Sequence, residues 1–268
     1  MAASPRYGAV PLVPGAETLP ELDIPPPGRQ NRFTVLLRLL LLVPHAIVLA
    51  VLSFLTFFVA VAAWCGALLL GRVPDPLERW LAGYLGYETR LSAAAMLLTG
   101  RYPPFEFGGP SGYPVQLRLH SSALNRLAVL FRLLLVLPAA VVGGLVTAGW
   151  WAVSFLSWLV VLVLGRMPQP LFEATAAVLR FRMRVSAYVL LLTSAYPKRL
   201  FGDQGSADSV IGTVRGASAT RPLFVGGTGK VLVGAFLVLG LLGWAGNAVR
   251  YDPAPAEAGV GSGSGQAP

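Results

Sequence analysis

The chain has 268 residues, of which 55% are hydrophobic and 12% are charged, and its formal net charge is +9. Soluble domains carry about 25% charged residues, so this composition argues against a soluble protein and for a membrane protein. The arginines flank apolar runs and do not cluster with exposed aromatic residues, which favours a phospholipid surface over nucleic acid as the partner of the positive charge. The single cysteine, Cys65, excludes a disulfide framework.

Residues 1–30 contain seven prolines and no apolar core. A secretory signal peptide needs an apolar stretch of about 7–15 residues, so we expect no cleavable signal here. A segment of this composition cannot bury enough apolar surface to order itself. We therefore predict that residues 1–30 are disordered.

Residues 31–43 have the pattern of a short helix, which we expect Pro44 to end or kink. Residues 44–70 are almost entirely apolar. At ~1.5 Å per residue, a helix of that length spans about 40 Å, which exceeds the ~30 Å hydrocarbon core of a bilayer. The sequence therefore predicts a transmembrane helix that ends at Gly71 and is followed by Pro74.

Residues 76–99 place apolar side chains on one face of a helix, and the other face carries Glu78, Arg79, Gly83, Gly86 and Arg90. A basic amphipathic helix usually lies in the headgroup region of a membrane. This helix is therefore the weaker candidate for a crossing, and whether it crosses or lies at the interface stays open.

The second half of the chain repeats the first. A shift of 94 residues aligns 31–108 with 125–202 without a gap, and about 30 of the 78 pairs are identical. Such self-similarity indicates two copies of one structural unit. We call residues 31–108 repeat 1, and 113–202 repeat 2 with a short leading segment. In that segment Tyr113 to Leu119 alternate like a strand, and Leu19 to Ile24 are a fainter equivalent.

The remaining residues follow repeat 2. Residues 203–229 form a Gly/Ser-rich linker, 230–250 are an apolar run long enough for a C-terminal transmembrane helix, and 251–268 are a disordered tail. The predicted fold class is all-α: an integral membrane bundle of two tandem repeats plus one C-terminal transmembrane helix.

The direction of the repeats can be argued from charge. If each repeat crossed an odd number of times, matching arginines would lie on opposite sides, against the positive-inside bias. We therefore expect an even number of crossings. Either the amphipathic helix also crosses, with Arg90 and Arg184 near mid-depth, or residues 33–70 fold back as a hairpin. The first arrangement gives five crossings in total and a cytoplasmic N-terminus.

Several short segments of repeat 1 form a recognisable set: Val43-Pro44-His45, Leu70-Gly71-Arg72-Val73-Pro74, Arg90-Leu91-Ser92-Ala93, and Leu98 to Phe105. They resemble a bacterial membrane family catalogued as the domain of unknown function 4389, and the resemblance covers 31–108 and 125–202. Repeat 2 departs from the pattern, because Ala139 replaces the histidine and Lys198-Arg199 replaces the closing Pro-Phe. The resemblance implies a membrane location and supplies no activity.

Arginines recur at matching positions of the two repeats. They are candidates either for anchors that fix depth in the membrane or for ligands of lipid phosphate. The same repetition marks the residues that we expect to punctuate the helices. The arginines are Arg38, Arg132, Arg90, Arg184, Arg72 and Arg166, and the punctuating residues are Pro44, Pro138, Gly71, Pro74, Gly165 and Pro168.

His45 is the one histidine inside an apolar run, so it is a candidate proton relay or ligand. The simpler interpretation is a neutral imidazole bonded to a carbonyl that Pro44 leaves free. Glu88 is a candidate partner of Arg184 across the repeats. Two histidines and one cysteine give no metal-ligand spacing, and no nucleophile has a visible base, so we expect no metal, no cofactor and no enzyme activity.

Two functions remain. One is a non-enzymatic scaffold in the cytoplasmic membrane that contacts lipids and a membrane-protein partner or a second copy. The other is a subunit that transports a lipid or small solute between the repeats, as internal repeats often do in transporters. A polar cavity lined by Arg90 and Arg184 would favour transport, and tight packing between the repeats would favour the scaffold.

Overall fold

The computed structural model of the protein describes residues 19–109, 112–119, 125–203 and 218–250, with side chains up to residue 247. Within these ranges the chain forms seven helices and one two-stranded sheet, and repeats 1 and 2 share the same order of helices. Three helices are long and apolar enough to cross a membrane. The predicted helical membrane fold of two tandem repeats and a C-terminal apolar helix is confirmed.

Each repeat opens with an apolar helical run. In repeat 1 this run is α1 (Arg32–Leu36) followed by α2 (Arg38–Leu70), and a matching run opens repeat 2. Asn31 begins the first run because its side chain accepts a hydrogen bond from the Phe33 backbone N–H. The second run comprises the helices that we label α4 (Arg126–Ala152) and α5 (Ser154–Leu164).

Glycine ends both runs, as the sequence predicts. Gly71 and Gly165 have φ angles of 74° and 67°, in the left-handed region that favours glycine at a helix C-terminus. The amphipathic helix of each repeat then starts one turn later, directly after Pro74 or Pro168. These four residues therefore punctuate the helices as expected.

The two internal prolines do not punctuate the helices. Pro44 lies inside α2 and Pro138 inside α4, and the chain leaves regular helix at Leu37 and Val153 instead. The Tyr102 hydroxyl donates to the Leu41 carbonyl in the turn before Pro44. Pro44 itself has no backbone N–H to donate to that turn. The prediction that Pro44 ends the helix is wrong. Since α2 is continuous, the predicted hairpin within residues 33–70 is excluded as well.

The amphipathic helices form the centre of the molecule. They are α3 (Asp75–Ala95) and α6 (Gln169–Val189), and almost all of their side chains are covered by protein. Neither is among the helices apolar enough to cross a membrane. The sequence left open whether they cross or lie at the interface; in the structure their polar sides face other parts of the chain, and the crossing alternative is not supported. The expected five crossings are reduced to three candidates.

The repeats are inverted relative to each other. At one end of the bundle the Arg126 side chain packs on Gly71, and at the other end the Gln30 N–H donates to the Gly165 carbonyl over 2.8 Å. The start of each apolar run thus meets the end of the other, so the two runs are antiparallel. The expected parallel arrangement is wrong because it assumed that the matching arginines mark one membrane surface.

Most of the outer surface of α2, α4, α5 and the last helix, Gly227–Arg250, is apolar. The exposed large hydrophobic side chains number in the dozens, and Leu40, Phe57 and Leu134 are each more than 60% exposed. In α2 only a narrow strip faces protein. A helix that is apolar all round and uncovered by protein needs a lipid environment.

Extended segments cover the remaining side of α3 and α6. Strand β1 (Glu21–Asp23) pairs antiparallel with β2 (Gln116–Arg118), and Leu22 and Ile24 are fully buried. The strand-like pattern that we noted in both segments is thus real. The prediction of disorder for residues 1–30 is wrong for 19–30, because alternate side chains there reach the core, and residues 1–18 lie outside the described part.

The last helix, α7 (Gly227–Arg250), begins three residues before the predicted apolar run and packs antiparallel on α4. Most of the predicted linker and all of the predicted C-terminal tail lie outside the described residues. Helix α7 approaches α4 so closely that a Cβ atom on Gly149 or Gly240 would collide with the backbone of the facing helix. Small residues allow such close packing of membrane helices.

This packing gives a direct test with a matched control. We expect Gly240→Ala to lower the melting temperature in detergent, because overpacking of this kind costs about 1–3 kcal/mol. Gly243→Ala is the control, since nothing lies within 4 Å of a Cβ there, and helix propensity favours alanine over glycine. Equal melting temperatures for the two variants would contradict the close contact between α4 and α7.

Candidate functional site

Two matching arginines clamp the ends of the amphipathic helices. Arg38 donates to the Ala94 and Thr99 carbonyls over 2.8 and 2.6 Å, and Arg132 donates to the Thr193 carbonyl. Thr99 and Thr193 are equivalent positions, and each follows a residue with positive φ in the turn that ends its helix. The guanidinium thus satisfies carbonyls that the end of a helix leaves without partners.

A second matching pair binds the extended segments. Arg90 donates to the Glu106 carbonyl over 2.7 Å, and Arg184 donates to the Pro20 and Lys198 carbonyls. Burial, reinforced by the charge of Arg180, lowers the pKa of Arg184 to about 10. The group therefore stays charged at neutral pH, and its hydrogen bonds compensate for lost hydration.

These four arginines are only 2–6% exposed. Their guanidinium groups are turned to backbone carbonyls inside the protein, so these four residues are not exposed at the protein surface as membrane anchors would be. Their recurrence reflects an internal structural task that each repeat needs. Arg72 and Arg166 are exposed at the ends of α2 and α5 and remain candidates for contact with headgroups.

His45 is fully buried in an aromatic cage. Its Nδ1 atom lies 2.6 Å from the Tyr87 hydroxyl, its ring stacks on Phe105 at 3.9 Å between centroids, and Tyr102 lies at 4.9 Å. We expected a backbone carbonyl as the partner, but the partner is Tyr87 on α3. The spacing of α2 and α3 in the sequence does not reveal which side chains meet when the helices pack antiparallel.

Repeat 2 lacks most of the cage and keeps only the tyrosine at the position of Tyr102, Tyr196. Ala139, Phe181 and Arg199 stand at the positions of His45, Tyr87 and Phe105. The imidazole and its hydroxyl partner are thus absent together, which fits a pair that is stable only when both members are present. Any chemistry of His45 belongs to repeat 1 alone.

The interface between the repeats is closed. The Arg182 guanidinium contacts the Glu88 carboxylate over 2.7 Å, and the cavity beside this ion pair measures about 10 Å³. Glu88 and Arg182 occupy equivalent positions, so the ion pair sits where the two repeats meet around a local two-fold relation. The sequence suggested Arg184 as the partner of Glu88, and that prediction is wrong. Arg90 and Arg184 are not brought together.

Sequence reasoning missed the ion pair between Arg180 and Asp203. Its atoms lie 2.7 Å apart, and Arg180 is 2% exposed. Burial acts to raise the pKa of Asp203, but Arg180 and the Leu223 backbone N–H outweigh it and hold that pKa below its usual value. The only signal in the sequence was an arginine in an amphipathic helix, with its partner 23 residues away. Within the described part of the chain, no group of His, Cys, Asp and Glu could hold a metal ion.

The cage can be tested by a double-mutant cycle. We expect Tyr87→Phe to lower the free energy of unfolding by about 1–3 kcal/mol, since it leaves the buried imidazole without its partner. His45→Ala combined with Tyr87→Phe recreates the residues of repeat 2 and should cost less than the sum of the two single changes. Thermal unfolding in detergent measures both. Simple additivity would show that the two residues do not interact.

The Arg180–Asp203 ion pair makes the stability of the fold depend on pH. A carboxylate whose folded pKa is depressed stabilises the fold above its unfolded pKa, and that stability is lost as the pH falls through the folded pKa. Asp203→Asn should therefore lower stability by about 3 kcal/mol at neutral pH and weaken the loss of stability below about pH 4. A variant that melts like the wild-type protein at both pH values would show that the pair is not stabilising.

The sequence model of one family, described as Domain of unknown function (DUF4389), matches the chain twice, over residues 32–106 and 126–200. The two matches are offset by 94 residues, the same shift that aligns the repeats. No curated protein and no solved structure matches the chain. Since the two matches cover more than half of its length, the chain belongs to the DUF4389 family as a tandem pair of that domain.

Proposed function

We propose that the protein is a non-enzymatic scaffold of the cell membrane that contacts lipids and a membrane-protein partner. The observation that carries this proposal is the inside-out distribution of polarity. Apolar side chains cover the outside of the long helices, while the buried arginines of α3 and α6, Arg90, Arg180 and Arg184, bind carbonyls and a carboxylate inside the molecule. Such a molecule is stable in acyl chains and offers rigid surfaces to its neighbours.

Transport between the repeats has less support. A transport pathway needs polar groups that are free to bind a solute near the middle of the membrane. Here Arg90 and Arg184 line no common cavity among the described residues, and the space beside Glu88 and Arg182 at the repeat interface is smaller than one solute molecule. The repeats pack tightly against each other, and tight packing is the observation that we expected to favour the scaffold.

Our proposal for topology is three crossings, made by α2, by α4 with α5, and by α7, with the N-terminus in the cytoplasm. Helix α2 has 33 residues and is about 50 Å long at ~1.5 Å per residue, which suffices to cross. Non-helical backbone at membrane depth is tolerated only where protein or a water-filled cavity covers it. The extended segments beside α3 and α6 would then need such a cover, which supports a partner or a second copy.

Cysteine labelling tests this topology, because Asp75 and Gln169 are equivalent, exposed positions after α2 and α5. In a Cys65→Ser background, we expect Asp75→Cys and Gln169→Cys to react with an impermeant thiol reagent from opposite sides. Gly28→Cys should match Gln169→Cys, since Gln30 is bonded to Gly165. Labelling of Asp75→Cys and Gln169→Cys from one side would mean that the long helices do not cross.

A flux assay tests the scaffold against the transporter. The purified protein is reconstituted into vesicles that contain a fluorescent lipid in one leaflet and a trapped anionic solute. We expect lipid redistribution and solute leakage at the rate of protein-free vesicles. Faster flux in the wild-type protein that Arg182→Gln changes would overturn the scaffold, since Arg182 lies at the repeat interface.

A further inference from the structure

Repeat 1 contains an open groove beside α3. Its volume is about 500 Å³, within the range of small-molecule sites. The charged side chains that line it are two arginines, Arg79 and Arg90, and no carboxylate lines it among the described residues. The rest of the lining is glycine, the Gln116 amide and apolar side chains, among them Phe107, Val115 and Leu119.

Arg90 is the buried end of this groove. The residue is 5% exposed, and one of its terminal nitrogens donates to the Glu106 carbonyl. Its Nε atom has no hydrogen-bond partner among the described residues. The exposed Glu106 carboxylate balances part of the charge of Arg90, but a buried N–H without an acceptor is costly. An anion in the groove that accepts from Nε would therefore stabilise Arg90.

Repeat 2 shows what is absent from the groove. Arg180 and Asp203 form their ion pair at the positions that correspond to Gly86 and Gly109 in repeat 1. Arg79 corresponds to Glu173, so the second acidic group of this region also belongs to repeat 2 alone. Repeat 2 therefore has a carboxylate at the position where repeat 1 has open space. The Glu106 carboxylate that acts on Arg90 is exposed and does not line the groove. Nothing lies within 4 Å of a Cβ built on Gly109.

We propose that the groove of repeat 1 binds a phosphate-bearing amphiphile, with the phosphate at Arg90 and the apolar part against Phe107 and Val115. The phosphate accepts from the unpaired Nε of Arg90, near the position that Asp203 occupies in repeat 2. Arg79 lies three helical turns away, about 16 Å along α3, and adds positive charge at the other end of the groove, and guanidinium groups are suited to a phosphate. This inference deepens the proposed contact with lipids and rests on it, but its test in detergent does not depend on topology or flux.

The same phosphate chemistry could come from a lipid headgroup or from free phosphate. Full-length protein in a non-ionic detergent is titrated calorimetrically with three probes: a short-chain phosphatidylglycerol, the matching phosphatidylcholine, and inorganic phosphate. Saturable binding of the phosphatidylglycerol at least about tenfold tighter than of the other two assigns the site to an anionic headgroup. Preferential binding of inorganic phosphate assigns it to a free anion.

The variants introduce into repeat 1 the residues that repeat 2 has at the equivalent positions. Gly109→Asp should weaken phosphatidylglycerol binding at least about tenfold, since the new carboxylate competes for Arg90. Gly86→Arg with Gly109→Asp rebuilds the whole ion pair and should abolish binding. Gly28→Asp is the control: it makes the same change of charge in open space outside the groove, and its affinity should stay within about twofold of the wild type.

Melting temperatures establish that each variant is folded. The proposal is overturned if all three probes bind alike or do not bind. It is equally overturned if Gly109→Asp and Gly28→Asp have the same affinity while both melt near the wild-type temperature. Arg79→Gln, at an exposed position on α3, offers an independent measure. Unchanged affinity in this variant would contradict the contribution of Arg79 to the site.

Discussion

The structure depends on hydrogen bonds between buried guanidinium groups and backbone carbonyls. In each repeat a helix with many polar residues, α3 or α6, lies inside a shell of apolar helices, and the chain that follows it returns along it in extended form. Extended backbone leaves carbonyls without partners, and such groups are costly away from water. Arg38 and Arg90, with their equivalents Arg132 and Arg184, donate to those carbonyls. Without them neither the helix end nor the returning segment would be satisfied.

The duplication explains how the central helices of the two repeats cover each other. Inverted copies let α3 and α6 cover each other, with Glu88 meeting Arg182 at equivalent positions. The repeats have since diverged where their tasks differ. Repeat 1 has the imidazole cage around His45 and an open groove, and repeat 2 has the Arg180–Asp203 pair and the packing surface for α7. The asymmetry gives each repeat its own set of buried polar contacts.

Much of the fold could be predicted from local signals. The apolar runs, the glycine that ends each of them and the 94-residue shift are properties of neighbouring residues, and the structure contains all of them. The site was less predictable, because an arginine in an amphipathic helix looks alike whether it faces a headgroup or a carbonyl. The partners of Arg38, His45 and Arg180 lie 23 to 61 residues away. Only the packing of antiparallel segments brings them together, and spacing in the sequence does not encode that packing.

The central claim is that the apolar face lies in acyl chains while the arginines work inside the protein. Spin labels at Phe57 and Leu134, on the outer faces of α2 and α4, and at Gln116 on β2 test it most directly in bilayers. The account predicts that labels at Phe57 and Leu134 are relaxed by oxygen and shielded from a water-soluble nickel chelate, and that the label at Gln116 is reached less by oxygen. Ready access of the nickel chelate to Phe57 and Leu134 would contradict it.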